Sequence, residues 1–324
     1  MQGIPILIII WNYFLLQRLV KNLKTIRSPL FYVGDKKQLI SQMLQYFPKN
    51  ICNFYEPFVG GGTVFMNTKA QQYFLNDIDA YIIGIHKMLI EKLKTKSVAN
   101  FLDDVLLYAR NYDLSRSFYE NIIPDELKKA NKKTYYSKYN KKGYNKLRED
   151  YNKSNRMDFF VLYLLLIYGF NRMIRFNGSG NFNLPVGNVD FNTNVRKALE
   201  YYGEKIRNVK MELFNLDYKK FLKKFTLNND DFVYFDPPYL ISGSEYNKLW
   251  SKNDEKELLE LLDELNAKGI RFALSNVFKH KGRENTLLID WAVKYNVHYL
   301  NSNYISYHDN TIKKDTIEVL ILNY

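Results

Sequence analysis

The sequence predicts an α/β fold, a mostly parallel, doubly wound sheet whose chain is split by a basic, aromatic insert. Three observations predict it. Apolar runs at residues 51–58 and 71–79 flank a glycine turn and a helix start, which together read as a βαβ unit. The same alternation of strand and helix returns after about residue 205. Between them, from about residue 91 to 200, the chain turns lysine- and tyrosine-rich.

The elements follow in order. "MQGIPILIIIWNYFLLQRLVKNLK" is apolar over Ile4–Ile10, but Asn12, Gln17 and Arg18 interrupt it. It falls short of the ~20 apolar residues of a membrane span. With no basic leading region or small-residue cleavage site, it reads as an amphipathic or packed extension. Ser28-Pro29 marks a turn, Leu39, Ile40, Met43, Leu44 and Phe47 repeat at helical spacing, and Pro48 stops the pattern. Ile51–Phe58 reads as a buried strand, Gly60-Gly61-Gly62 as a turn, and Thr63–Ala70 as a helix start. Gln71–Asp79 reads as a strand ending in acids, and Ala80–Leu93 as the next helix.

In the insert, Lys128–Lys153 holds ten Lys/Arg against two acids, with five tyrosines, and reads as a phosphate-binding or solvated face. Met157–Phe170 is apolar on every side yet too short to cross a bilayer, so a buried helix is expected. Asn171–Asn188 mixes Gly, Asn and Pro with apolar residues, as a hairpin or ordered loop would. Beyond the insert, "DFVYF" at 231–235 is strand-like. Ser251-x-x-Asp254 forms a capping-box pattern ahead of an amphipathic helix ended by Gly269. Residues 270–276, 297–301 and 316–324 are three further strand candidates.

The 324 residues suit about two domains, or one large domain with an insert, and the 46% apolar content supports a sizeable core. A net charge of +13 points to a polyanionic partner, most commonly nucleic acid. The single cysteine, Cys52, rules out an intrachain disulfide and suits a reducing, cytoplasmic setting. His86, His280, His298 and His308 lack zinc-ligand spacing, so no metal is expected.

The chemistry concentrates in "DFVYFDPPYLISGSEYN". Ligands of open α/β sheets bind beyond the carboxyl ends of the strands, which is where this strand delivers Asp236. Pro237 and Pro238 fix φ and donate no N–H, so their carbonyls can face a substrate. A carboxylate beside a proline carbonyl gives two acceptors, matching the two donors of an exocyclic –NH2. Hydrogen bonds to both draw the amine lone pair out of ring conjugation and make the nitrogen nucleophilic. Tyr239 adds a flat face for a planar base. The glycine turn "EPFVGGGTVF" lets backbone approach a ligand, and Asp77 is placed to accept from ribose hydroxyls. Phe65 breaks a strict G-x-G-x-x-G pattern, so the turn alone would fit NAD, FAD or S-adenosylmethionine.

Taken in order, "FYVGDKKQLI", "YEPFVGGGTVF", "LNDIDAYII", "RFNGSGNFNLPVG" and "DPPY" resemble the Dam-like (D12 class, α-group) DNA adenine-N6 methyltransferases, from about Ser28 to the C-terminus. The resemblance implies a Rossmann-like, S-adenosylmethionine-dependent methyltransferase sheet with a mainly helical, basic target-recognition insert. The implied division is an extension at 1–27, a catalytic domain at 28–90 and 201–324, and a DNA target-recognition insert at 91–200. Tyr32 and Lys36 match the N-terminal motif, the lysine meeting the cofactor carboxylate. Glu56, Pro57, Phe58 and Gly60 match the cofactor loop, Asp77 the ribose acid, Ile78 the adenine flank, and Asp217 an acid on the adenine side. Asp236, Pro237, Pro238 and Tyr239 match the catalytic motif. Arg172, Arg175, Asn177, Asn181 and Asn183 become candidates for phosphate or base-edge contacts.

The implied reaction is methyl transfer to N6 of an adenine flipped out of double-stranded DNA, by an orphan methylase or the partner of a restriction endonuclease. A monomer suffices for it, and no stable membrane partner is expected. Asp35 stands where the family favours glycine, Gly178-Ser179-Gly180 stands where basic residues are common, and the N-terminal extension has no counterpart. Methylation of cytosine N4, RNA adenine or a protein glutamine uses similar motifs. Asp rather than Ser at position 236 favours adenine by resemblance, and a glutamine enzyme has no need of so basic an insert. An inactive DNA-binding relative is opposed by the intact Asp77 and Asp236, and a hydride-transferring dehydrogenase by the lack of an acid/base pair.

Overall fold

The computed structural model describes residues 25–154, 156–242, 250–301 and 316–324, so the apolar N-terminal stretch lies outside the described residues. The sheet runs β3-β2-β1-β4-β5-β8-β7, with the short β6 paired to β5. Its strands are β1 (Asn53–Glu56), β2 (Gln72–Asn76), β3 (Lys210–Phe214), β4 (Phe232–Phe235), β5 (Arg271–His280), β6 (Arg283–Glu284), β7 (Asn296–Leu300) and β8 (Ile317–Leu322). Strands β3, β2, β1, β4 and β5 are mutually parallel, while β8 runs antiparallel to both β5 and β7.

Alternation along each strand divides the core between the two faces. Phe54, Tyr73, Phe232, Tyr234 and Ala273 face one apolar cluster, and Tyr55, Phe74, Val233, Phe235 and Phe272 face the other. The first face is covered by α1 (Ile40–Met43), α2 (Thr63–Asn67) and α3 (Ala80–Thr95). The second is covered by α9 (Tyr218–Leu222), α10 (Lys252–Ala267) and α11 (Thr286–Ala292).

Between β2 and β3 lie α4 (Val98–Asn111), α5 (Asp125–Ala130), α6 (Tyr135–Lys153), α7 (Phe159–Tyr168) and α8 (Thr193–Arg207). They continue the first cluster through α3 instead of closing a core of their own. Every residue from Phe160 to Tyr168 is buried, as an all-round apolar helix requires. The expected helix after Lys36 is shorter than its spacing suggests. A 3-10 turn at Lys36–Gln38 precedes α1, because Asp35 caps the Lys37 N–H there. The capping box of Ser251 and Asp254 is formed, and Gly269 follows the end of α10 at φ +70.

Candidate active site

Strands β1 and β4 are neighbours, but their following chains cross to opposite sides of the sheet, which opens a crevice at their carboxyl ends. Glu56 ends β1, and Asp236 follows β4 directly. The Asp236 side chain is 19% exposed; its Oδ2 lies 2.6 Å from Lys36 Nζ, and its Oδ1 accepts from the Tyr239 hydroxyl at 3.1 Å. Lys36, 7% exposed, also donates to the Gly34 carbonyl at 3.2 Å and lies 5.2 Å from the Tyr239 ring centre. Pro237 is buried, and among the described residues no donor occupies its carbonyl.

Burial sets the electrostatics. It pushes the Asp236 carboxyl above the usual range, while the Lys36 ammonium pulls it back. Glu56, 2% exposed, is pushed well up by burial and by the charge of Asp236, although its Oε2 accepts the Phe65 N–H at 3.1 Å. Asp77 is pushed up to about 6 by burial, against the pull of N–H groups from Asp79 and Gly60. Three carboxylates and one lysine therefore share the crevice, a balance that suits a cationic ligand.

The loop after β1 is held from several sides. Gly60 N–H donates to Asp77 Oδ2 at 2.9 Å. Gly60 and Gly62 take φ of +45 and +81, and a Cβ at Gly62 would sit 2.6 Å from the Phe65 ring. Tyr32 packs over Gly60 and Gly61, and Ser28 Oγ donates to the Gly61 carbonyl. The fully buried Asn76 ties three loops together. Its Nδ2 donates to the carbonyls of Pro57 and Leu216, each at 2.9 Å, and its Oδ1 accepts the Leu216 N–H at 3.0 Å. Asn215 Nδ2 donates to the carbonyls of Asp77 and Ile78. Ile78 itself is 70% exposed. Phe58, Tyr218 and Trp250 form an aromatic group with centroids 5.2–6.1 Å apart, and the buried Tyr218 hydroxyl has no partner among the described residues. Asp217 caps α9 by accepting from the N–H groups of Lys219 and Lys220.

Lys36, Glu56, Pro57, Gly60, Asp77, Asp236 and Tyr239 are thus brought together about the crevice, with Lys36 paired to Asp236. The sequence reading had no signal for Asn76, Asn215 or Ser28, whose roles depend on loops far apart in the chain.

The hairpin candidates have local duties. Bridges at Gly169–Val186 and Phe176–Phe182 shape the 169–186 segment as a hairpin. Arg175 donates to the Asn183 side chain at 2.9 Å and to its carbonyl at 3.0 Å. Asn177 Oδ1 accepts the N–H groups of Ser179 and Asn181, which builds the tip. Arg172 stands apart, its guanidinium 4.3 Å from the Phe31 ring centre and its Nε buried without a partner among the described residues. The basic helix α6 supports the hairpin through Asn152, whose amide pairs with both backbone groups of Phe182, and through Arg148 and Tyr144, which donate to the Leu184 carbonyl. Lys138, Lys142, Lys146 and Lys153 are exposed on its outer side.

Residues 32–305 match the family described as D12 class N6 adenine-specific DNA methyltransferase. The chain is 34% identical over 308 residues to Type II methyltransferase M.FokI of Planomicrobium okeanokoites, covering 92% of this chain and 43% of that protein. It is 35% identical over 318 residues to Modification methylase StsI of Streptococcus sanguinis, covering 95% and 44%. DNA adenine methylase of Escherichia coli (strain K12) is 29% identical over 222 residues, covering 67% and 66%. The chain spans less than half the length of the first two relatives.

Proposed function

The chain belongs to the family of D12 class N6 adenine-specific DNA methyltransferases, and on that premise we propose that it methylates adenine N6 in duplex DNA, with S-adenosylmethionine as donor. The observation that carries this reading is the placement of Asp236 and the buried Pro237 beside Glu56 at the mouth of β1 and β4.

The crevice fits that cofactor in three respects. Its carboxylates suit a sulfonium cation, the Gly61 N–H is without an acceptor among the described residues, and among those residues the Tyr218 hydroxyl is an unused polar group beside the aromatic group. When bound, S-adenosylmethionine supplies an electrophilic methyl carbon.

The protein groups do the rest. Asp77 accepts from the ribose hydroxyls, since Gly60 and Asp79 N–H groups use only two of a carboxylate's roughly four acceptor sites. Ile78 flanks the cofactor adenine, with Phe58 and the capping acid Asp217 on its other side, while Tyr32 and Glu56 close the loop. Lys36, paired with Asp236 and bonded to the Gly34 carbonyl, is the cation of the crevice that a ligand carboxylate would meet. Asp236 and the Pro237 carbonyl take the two N–H groups of the flipped adenine, and Tyr239 stacks on its ring. This geometry would free the N6 lone pair for a methyl carbon whose bond to sulfur breaks as the N–C bond forms, and the Asp236 carboxylate would take the surplus amine proton.

Flipping costs a few kcal/mol, which the basic face of α6 and the hairpin help to offset by binding backbone. Asn181 and the exposed tip around it lie where DNA would be read, while Arg175, Asn177 and Asn183 hold that tip in shape. The names of the relatives suggest the modification half of a restriction–modification pair, with an endonuclease acting on the same site. One chain carries all the groups named, so a monomer can act, and a cytoplasmic location suits a DNA substrate.

Asp236→Ala tests the reading. Methyl transfer should be abolished while S-adenosylmethionine binding stays within a few-fold of wild type, about 1 kcal/mol. Wild-type turnover by this variant would overturn it.

A further inference from the structure

We infer that His86 is a positioning residue that aims the backbone of the glycine loop at the cofactor. The inference rests on the cofactor site proposed above and concerns how that site is held.

His86 lies on α3 and is fully buried. Its Nε2 is 2.9 Å from the Gly60 carbonyl oxygen, and its Nδ1 is 2.9 Å from the Tyr202 hydroxyl of α8. A carbonyl can only accept, so Nε2 carries the proton. Nδ1 is then bare, and the Tyr202 hydroxyl donates to it. The tautomer follows from these partners and needs no further assumption. Burial holds the ring neutral, with its pKa pushed down to about 4.

Gly60 is therefore fixed at both ends. Asp77 takes its N–H, and His86 takes its carbonyl. In a trans peptide the C=O and the next N–H point in opposite directions. Drawing the Gly60 carbonyl inward to His86 turns the Gly61 N–H away from the core, and among the described residues that N–H has no acceptor. With φ of +45, Gly60 sits where a glycine peptide can rotate easily, so an external hold on its orientation matters. The imidazole thus presents the Gly61 N–H as a donor to an acceptor atom of the ligand. Tyr202 ties this arrangement to the helix that follows the hairpin.

The test is direct binding of S-adenosylmethionine by calorimetry, with steady-state kinetics, on wild type, His86→Phe, His86→Gln and Tyr202→Phe. Phe fills the space without bonding Gly60, whereas Gln retains an N–H that reaches it. His86→Phe should raise the cofactor Kd and KM about tenfold, the worth of one hydrogen bond to a positioned group. Its kcat at saturating cofactor and its KM for DNA should stay near wild type. His86→Gln should recover most of the loss, and Tyr202→Phe should show a smaller rise in cofactor Kd. An unchanged cofactor Kd in His86→Phe would overturn the inference. So would losses in kcat and both KM values together that Gln fails to rescue, which mark a structural role only; if His86→Phe does not fold, an unchanged Kd in Tyr202→Phe overturns it instead. Wild-type protein that does not bind S-adenosylmethionine would overturn the cofactor assignment itself, a failure separate from the others.

Discussion

The crevice at β1 and β4 and the hairpin at 169–186 use the same polar residue types to different ends. In the crevice, Asn76 is fully buried and joins three loops, and Glu56 and Asp236 are carboxylates held above their usual pKa by burial. In the hairpin, the exposed Asn177 shapes its own turn, and Arg175 is bonded to Asn183. A buried carboxylate is costly unless a partner or a ligand repays it, so its presence announces chemistry. A polar hairpin residue can be wholly explained by the hairpin. Chemistry is therefore easier to read from this chain than target recognition.

Substitutions can break or sharpen that contrast. The largest effect is expected for Lys36→Met, which leaves Asp236 without the cation that draws its pKa down. The carboxyl pKa then rises further, more of it is protonated at neutral pH, and turnover should drop about a hundredfold. Because the ionised acceptor returns as pH rises, a pH–rate profile should show partial recovery on the alkaline side; a parallel loss at every pH would contradict this role.

Asp77→Asn comes next. Burial pushes the Asp77 carboxyl up to about 6, so wild-type affinity for S-adenosylmethionine should fall as pH drops through that range, where the carboxylate acceptor is lost. The variant should bind about tenfold more weakly at pH 8 and show a flatter pH profile, measured by calorimetry across pH 5–8.

Arg175→Ala should act on DNA alone. Loss of its two bonds to Asn183 loosens the hairpin and should raise the KM for DNA a few-fold, with cofactor affinity unchanged. If Arg175 only supports the hairpin, the salt dependence of DNA binding stays as it is, whereas Lys142→Gln on the outer side of α6 should lower the slope by about one phosphate contact. The smallest effect is expected at Ser251→Ala, which removes one half of the capping box of α10 and should cost about 1 kcal/mol in denaturant unfolding without touching turnover.

Much of the catalytic half was legible because local rules and fold agree there. Ile51–Phe58 and "DFVYF" read as strands since their apolar runs are buried on both faces, and they deliver the acids of the crevice, Glu56 at the end of β1 and Asp236 just after β4. The Lys36–Asp236 contact was not legible. It joins residues 200 positions apart, and nothing in either motif requires the other's charge. His86 read as one scattered histidine, because its partners Gly60 and Tyr202 meet it only through packing of α3 and α8. The antiparallel β8 was read as a strand, but apolar alternation carries no information on direction. In the insert, lysines gave a charge and no geometry. The inner side of α6, where Asn152, Arg148 and Tyr144 carry the hairpin, emerges only in three dimensions.

The most direct measurement is transfer of labelled methyl from S-adenosylmethionine to unmodified duplex DNA, with the product base identified and its positions sequenced. The crevice geometry and the family together call for label in N6-methyladenine at one short sequence, lost in Asp236→Ala. Label in N4-methylcytosine, in RNA or in protein, or none at all with cofactor bound, would contradict the assignment of Asp236 and Pro237 to a flipped adenine.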